Sequence, residues 1–166
     1  KTKKIALLSL LISQALVLHV IERSIPVPIP VPGVKLGLAN IISLFTIIIF
    51  NYKETMVLII LRTFLGSLFG GGLSSFLYSL AGGLLSASVM SFMYYRHKET
   101  FSIPTISIMG AIFHNLGQIT MASLVVENIR LFYYLPVLMI SGIITGIMIG
   151  FMVQFTMDPL KRILKI

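Results

Sequence analysis

The chain has 166 residues, of which 57% are hydrophobic and only 11% are charged. Soluble domains carry about 25% charged residues, so this composition excludes an ordinary soluble domain. The formal net charge is +8, but the basic residues are dispersed at the ends of apolar segments, which argues against a nucleic-acid partner. The absence of cysteine excludes disulfides, thiolate metal sites and a cysteine nucleophile.

Continuous apolar runs predict membrane-spanning α-helices. Backbone groups in lipid must be hydrogen-bonded internally, so only helices or closed barrels span a bilayer, and barrel strands would alternate apolar and polar residues. In chain order, the predicted spans are residues 5–21, 36–50, 55–69, 73–94, 103–126 and 131–157. We therefore expect an all-α membrane protein, a six-transmembrane-helix bundle that forms one domain over residues 1–166.

The second and third predicted spans are short. A helix needs about 20 residues to cross the hydrocarbon core, and these two segments have fewer. Short spans often border binding sites in transporters. We therefore expect neighbouring helices to support them, or a water-filled cavity to lie beside them.

Basic residues alternate between the two sides of the predicted bundle. One side carries Lys1, Lys3, Lys4, Lys53, Arg96, Lys98, Lys161, Arg162 and Lys165, and the other carries Arg23, Lys35 and Arg130. Cytoplasmic connections of membrane proteins carry the excess of Lys and Arg. This asymmetry predicts a multi-pass protein of the cell membrane with both termini in the cytoplasm.

The longest outer connection covers residues 22–35. Prolines stand at positions 26, 28, 30 and 32, and each lacks an N–H and restrains the residue before it. The segment therefore favours an extended, polyproline-like conformation. Such a stiff apolar loop is equally consistent with a lid over a pocket and with a plain spacer.

Polar side chains inside the predicted spans form the candidate site. Asn40 lies one turn below the outer end of the second span, Arg62 lies near the middle of the third, and His114, Asn115 and Gln118 lie in the fifth. Their spacing places the last three on one helical face. Each residue alone also fits an interhelical hydrogen bond, but the set predicts a polar pocket that opens outward.

Arg62 carries a permanent charge, and no acidic residue lies in the middle of any span. Glu22 and Glu127 stand at the outer boundary and could reach Arg62 only by snorkelling. An arginine in this position suits an anionic ligand group such as a carboxylate or phosphate. The alternative is a pair with Glu127 or with helix-end carbonyls.

Small residues indicate where helices approach closely. Gly142, Gly146 and Gly150 form an i+4 ridge on the sixth span, and Ser9 and Ser13 form a small-xxx-small pair on the first. Residues 70–72 are three glycines, which predict a flexible outer turn between the third and fourth spans.

Three segments resemble the substrate-binding S components of energy-coupling factor (ECF) transporters: residues 32–40 (PGVKLGLAN), 61–70 (LRTFLGSLFG) and 110–118 (GAIFHNLGQ). They are more closely similar to the "Gx transporter" family, which is labelled heptaprenyl diphosphate synthase component I. This resemblance implies a six-helix bundle with an outer substrate pocket. In this chain the matching candidate ligand residues are Lys35, Asn40, Arg62, His114, Asn115 and Gln118.

The resemblance also implies partners and a function without catalysis. S components bind a small-molecule solute and dock in the lipid bilayer on a transmembrane coupling subunit driven by two cytoplasmic ATPases. Their first helix commonly presents an Ala-xxx-Ala contact, and Ser9 and Ser13 have the comparable spacing here. We therefore expect these two serines to be the docking residues.

The synthase label implies an alternative function. Prenyl-chain elongation uses paired aspartate-rich motifs to hold magnesium, and this sequence has a single aspartate, Asp158. His114 has no second metal ligand at a suitable spacing. We therefore expect no enzyme activity, cofactor or metal site. The alternative to a transporter subunit is a non-catalytic membrane accessory of a polyprenyl diphosphate synthase.

Overall fold

The computed structural model describes residues 2–22, 24–25, 37–97 and 99–164. Its α-helices are α1 (Thr2–Glu22), α2 (Asn40–Ile49), α3 (Tyr52–Gly66), α4 (Gly72–Arg96), α5 (Ile103–Val125) and α6 (Leu135–Leu164). A π-helical turn, Ser67–Gly71, follows α3, and a 3₁₀ turn, Ile129–Tyr134, precedes α6. The described ranges contain no strand, which confirms the all-helical prediction.

Among the described residues, four helical segments are long and apolar enough to cross a membrane: Thr2–Glu22, Gly72–Arg96, Ile103–Val125 and Ile129–Met157. They make the chain a multi-pass membrane protein. α2 has only 10 residues, about 15 Å of helix, which is half the thickness of the hydrocarbon core. Six spans and cytoplasmic termini therefore stay predictions.

Helix boundaries follow local backbone chemistry. The second helix begins at Asn40 rather than at position 36, because Gly37 has a φ of 86°, a left-handed conformation outside the helix. The glycine run also differs from the prediction: helical turns continue through Ser67–Gly71, and the break falls at Gly72, whose φ is 68°. α5 begins after Ser102, whose side-chain oxygen accepts a hydrogen bond from the Thr105 N–H at 3.3 Å.

The glycine ridge of α6 packs inside the molecule, against α5. A Cβ built on Gly146 would lie 2.7 Å from the Ile108 Cα, and one built on Gly150 would overlap the Pro104 Cα. α5 also packs extensively against α4, where a Cβ on Gly117 would lie 2.9 Å from the Ala81 carbonyl oxygen. The ridge is therefore the contact that joins α5 to α6, as expected from its spacing.

α1 packs against α2 and α3 along one side only. Leu11 and Ala15 lie in a buried apolar cluster with Ile42 of α2 and Leu58 of α3. The opposite side of α1 is exposed and carries both apolar residues and small polar ones. In a bilayer this side faces lipid or another protein.

One end of the bundle is held by polar and aromatic contacts. Lys4, near the start of α1, forms an ion pair with Glu54 of α3, and its ammonium lies 5.8 Å from the centre of the Phe50 ring. The Tyr95 hydroxyl of α4 donates to the Ile47 carbonyl at 2.8 Å. These contacts place the start of α1, the end of α2, the start of α3 and the end of α4 together. This is the end predicted to face the cytoplasm.

The charge pattern and these shared helix ends generate a topology prediction. Cysteines introduced at Ser24 and Asn128, which are exposed at the opposite end of the bundle, should react with a membrane-impermeant maleimide in intact cells. A cysteine at the exposed His97 should react only after permeabilisation. Labelling of His97→Cys from outside would contradict the topology.

The close α5–α6 contact generates a stability prediction. Gly150→Ala should lower the free energy of unfolding by about 1–3 kcal/mol, because the added methyl group meets backbone that can move only with the whole helix. Thermal melting in detergent measures this loss. Ile144→Ala, on the exposed side of α6, is the control and should change the melting temperature little.

Candidate ligand-binding site

Arg62 lies at the centre of a buried polar cluster. Its side chain projects from α3 and is 2% exposed. Its Nη2 atom donates a long hydrogen bond of 3.4 Å to Oδ1 of Asn40, the first residue of α2. On the α4 side, a Cβ built on Gly83 would lie 3.3 Å from the same nitrogen. The guanidinium is therefore held between α2 and a glycine of α4.

Glu22 is part of this cluster, which sequence reasoning did not expect. It is the last residue of α1 and is buried, and its carboxylate accepts hydrogen bonds from the Gly37 N–H and, at 2.9 Å, from the Leu38 N–H. A carboxylate at the start of α2 is stabilised by the helix dipole. Glu22 also attracts the Arg62 charge. From the sequence, Glu22 is expected at the outer boundary, from which it could reach Arg62 only by snorkelling; the structure instead buries Glu22 where it acts on the Arg62 charge.

His114 and Gln118 form a second part of the cluster. The Gln118 Nε2 atom lies 2.8 Å from the His114 Nε2 atom, one helical turn away on α5. Both side chains lie against Gly82 of α4, where a built Cβ would be 2.7 Å from the Gln118 Cγ and 3.2 Å from the His114 Cε1. Because Gly82 and Gly83 are adjacent, the α5 pair and Arg62 pack against neighbouring points of α4.

Gly37 joins the two parts. A Cβ at this position would lie 2.9 Å from the His114 Cδ2 and 3.1 Å from the Asn40 Nδ2. The Gly37 φ of 86° also disfavours any other residue. Asn40, Arg62, His114 and Gln118 are therefore brought together as predicted. The sequence-based prediction missed Gly37, Gly82 and Gly83, which make room for these side chains. The adjacent glycines 82 and 83 inside a long helical segment are a visible sign of a close contact there.

Asn115 does not point toward this cluster. Its Nδ2 atom donates to the Leu138 carbonyl of α6 at 2.6 Å, and it lies beside Gly142. The prediction that all three α5 residues face one pocket is therefore wrong for Asn115. His114 and Asn115 are adjacent and so about 100° apart around the helix, and they separate toward α4 and α6. Asn115 serves the α5–α6 contact instead.

Lys35 and the proline-containing loop at 26–35 lie outside the described residues. The structure therefore places five of the six predicted ligand residues.

Two buried donors define what the cluster can bind. The Arg62 Nε and the Asn40 Nδ2 have no hydrogen-bond partner among the described residues. Buried polar groups are normally hydrogen-bonded, and an open donor costs free energy. Two open donors beside a guanidinium suit a ligand with acceptor oxygens. Within the same described ranges, no group of three His, Asp or Glu residues is placed to hold a metal ion.

The predicted docking residues lie on the exposed side of α1. Ser9 and Ser13 are both exposed, and the Ser13 hydroxyl donates to the Ser9 carbonyl at 3.0 Å. Beside them is a groove of about 410 Å³ between α1 and α2, lined by Ser13, Gln14, Val17, Leu18 and Ile42. The two serines are therefore available to a partner helix.

The comparisons with known proteins give one finding. A family model described as heptaprenyl diphosphate synthase component I matches residues 11–156. Searches of curated proteins and of solved structures gave no match. The match covers most of the chain, including every described residue of the polar cluster, and it confirms the family resemblance seen in the sequence. The chain belongs to the heptaprenyl diphosphate synthase component I family.

Proposed function

We propose that the protein is the substrate-binding membrane subunit of an ECF-type uptake transporter and that it binds a small anionic solute from the outer side. In this proposal it has no enzymatic activity. A transmembrane coupling subunit and two cytoplasmic ATPases supply the driving force.

The buried Arg62 with its open donors carries this proposal. Arg62 and Asn40 come from two helices, and the His114–Gln118 pair comes from a third. A charge inside a membrane protein is costly and usually marks a functional site. A network that served only stability would gain from satisfying every donor, whereas here a ligand acceptor completes it.

The position of the cluster supports binding from the outer side. It lies near the end of α1, the start of α2 and the later part of α5, away from the end held by Lys4 and Glu54. The basic connections cluster at the Lys4 end, which the positive-inside rule assigns to the cytoplasm. The ligand would therefore enter from outside the cell.

The family description favours a second candidate function, a membrane component of a heptaprenyl diphosphate synthase system. The single aspartate of the chain argues for an accessory role rather than for catalysis. The two functions differ in what they require. A transporter subunit retains a solute and associates with ATPases, whereas an accessory changes the activity or the membrane location of a synthase.

The ligand proposal is tested with Arg62→Gln. The variant should lose about 2–5 kcal/mol of solute binding, since one side of a buried charge pair is removed. Arg62→Lys should also bind more weakly, because an ammonium cannot form the bidentate fork of a guanidinium. Mass spectrometry identifies the solute that copurifies with the wild type and measures its retention in each variant, beside thermal melting.

Arg130→Gln is the matched control, because Arg130 is exposed near the same end of the bundle. It should retain the solute. A purely structural role for Arg62 predicts the reverse pattern: Arg62→Gln would melt early without ligand and yet bind the solute normally. That pattern would exclude Arg62 from the ligand site.

The docking proposal is tested by replacing both Ser9 and Ser13 with leucine. Larger side chains should prevent the close approach of a partner helix, so copurification with a coupling subunit should fall while the isolated protein stays folded. Leu10→Ile, also exposed on α1, is the control. Unchanged copurification of the double variant would place docking on another surface, and the α5-covered glycine ridge of α6 is not available for it.

A further inference from the structure

We propose that the cluster binds a carboxylate, and that the hydroxyls of Ser43 and Ser86 form the inner floor of its site together with Arg62 and Asn40. This inference rests on the proposed solute-binding function and specifies the chemical group that is recognised.

Both serines carry buried hydroxyls that are open. Ser43 of α2 and Ser86 of α4 are each 0% exposed, and neither Oγ has a hydrogen-bond partner in the part of the chain that the structure describes. Serines in helices commonly donate to the carbonyl one turn before them, as Ser88 does to Leu84 at 2.8 Å. Ser43 and Ser86 leave this bond unmade, as Ser79 and Ser91 of α4 also do, and it is their position one turn from the residues beside Arg62 that distinguishes them.

Their register places each of them about one helical turn deeper than a residue that lies beside the guanidinium. Ser43 follows Asn40 by three residues, and Ser86 follows Gly83 by three residues, so each lies about 4.5 Å deeper on the same side of its helix. Arg62 contacts both Asn40 and Gly83. The two hydroxyls therefore extend the open Arg62 and Asn40 donors one turn toward the membrane centre.

The charge of the site favours a carboxylate over a phosphate. Arg62 supplies one positive charge, and the buried Glu22 already offsets part of it. A bound carboxylate adds one negative charge to this low-dielectric site and a doubly charged phosphate adds two, so the phosphate carries the larger electrostatic cost. A carboxylate brings one charge and about four acceptor positions. The Arg62, Asn40, Ser43 and Ser86 donors match that number.

When a carboxylate binds, Arg62 exchanges its hydrogen bond to Asn40 for one to the ligand, and the 3.4 Å length of the Arg62–Asn40 bond fits this exchange. It is at the long limit for a hydrogen bond, so little is lost when the guanidinium turns to a ligand. Charge-assisted bonds to a carboxylate are shorter and stronger.

The test uses purified full-length protein in detergent, with sodium propionate as the probe. Propionamide, which has a similar shape and no charge, and inorganic phosphate are compared at constant ionic strength. Thermal melting over a concentration series gives the apparent Kd. Propionate should stabilise the wild type saturably, and propionamide and phosphate should not.

The serine variants give the decisive result. Ser43→Ala and Ser86→Ala should each raise the apparent Kd for propionate about tenfold or more, because one bond to a charged acceptor is lost. Their ligand-free melting temperatures should stay equal or rise, since an open buried hydroxyl is removed. Ser91→Ala is the matched control: Ser91 has a buried, open hydroxyl on the same helix, further from the cluster.

The contrary results separate this inference from the proposed function. An unchanged propionate Kd in the Ser43→Ala/Ser86→Ala double variant, with loss of binding in Arg62→Gln, would overturn the serine floor and leave the solute site intact. Stabilisation by phosphate or propionamide rather than propionate would overturn the carboxylate, and so would no response of the wild type. A normal propionate response in Arg62→Gln would overturn the inference and the Arg62 site together.

Discussion

A guanidinium charge that cannot be neutralised has to be solvated by protein wherever the bilayer excludes water, and Arg62 imposes this requirement on the bundle. Three features meet it. Asn40 begins α2 beside the guanidinium, the buried carboxylate of Glu22 offsets the charge, and Gly83 lets α4 approach. The left-handed turn at Gly37 sets the start of α2, so that Asn40 is its first residue and lies beside the guanidinium.

Glycines have two different packing roles in the bundle. Gly146 and Gly150 bring α6 against the backbone of α5. Gly82 and Gly83 of α4 leave space that polar side chains occupy. α5 takes part in both contacts, since its Asn115 side hydrogen-bonds to α6 and its His114 side lies against α4. The site residues on α5 are thus held by a helix that close packing already fixes.

The features that the sequence predicted well depend on local patterns. Long apolar runs located α1, α4, α5 and α6, and depth along each span brought Arg62, Asn40 and His114 to one region. The errors depend on tertiary geometry. A left-handed glycine moved the start of α2, and the direction of Asn115 was decided by α6 rather than by its spacing from Gln118. The burial of Glu22 was also missed, because it depends on backbone N–H groups that are close only in the folded chain.

The family description and the site favour different functions, and the energetics of the cluster bear on the choice. A polar network that only holds helices together is most stabilising when every member is paired. Here a buried guanidinium nitrogen, an amide nitrogen and two serine hydroxyls are open among the described residues. An accessory that acts through its surface on a synthase gains nothing from these open groups. A binding subunit gains affinity from them, because donors that are unsatisfied in the free protein make the bound state more favourable relative to the free one. The open donors around Arg62 therefore favour solute binding over a purely structural membrane role.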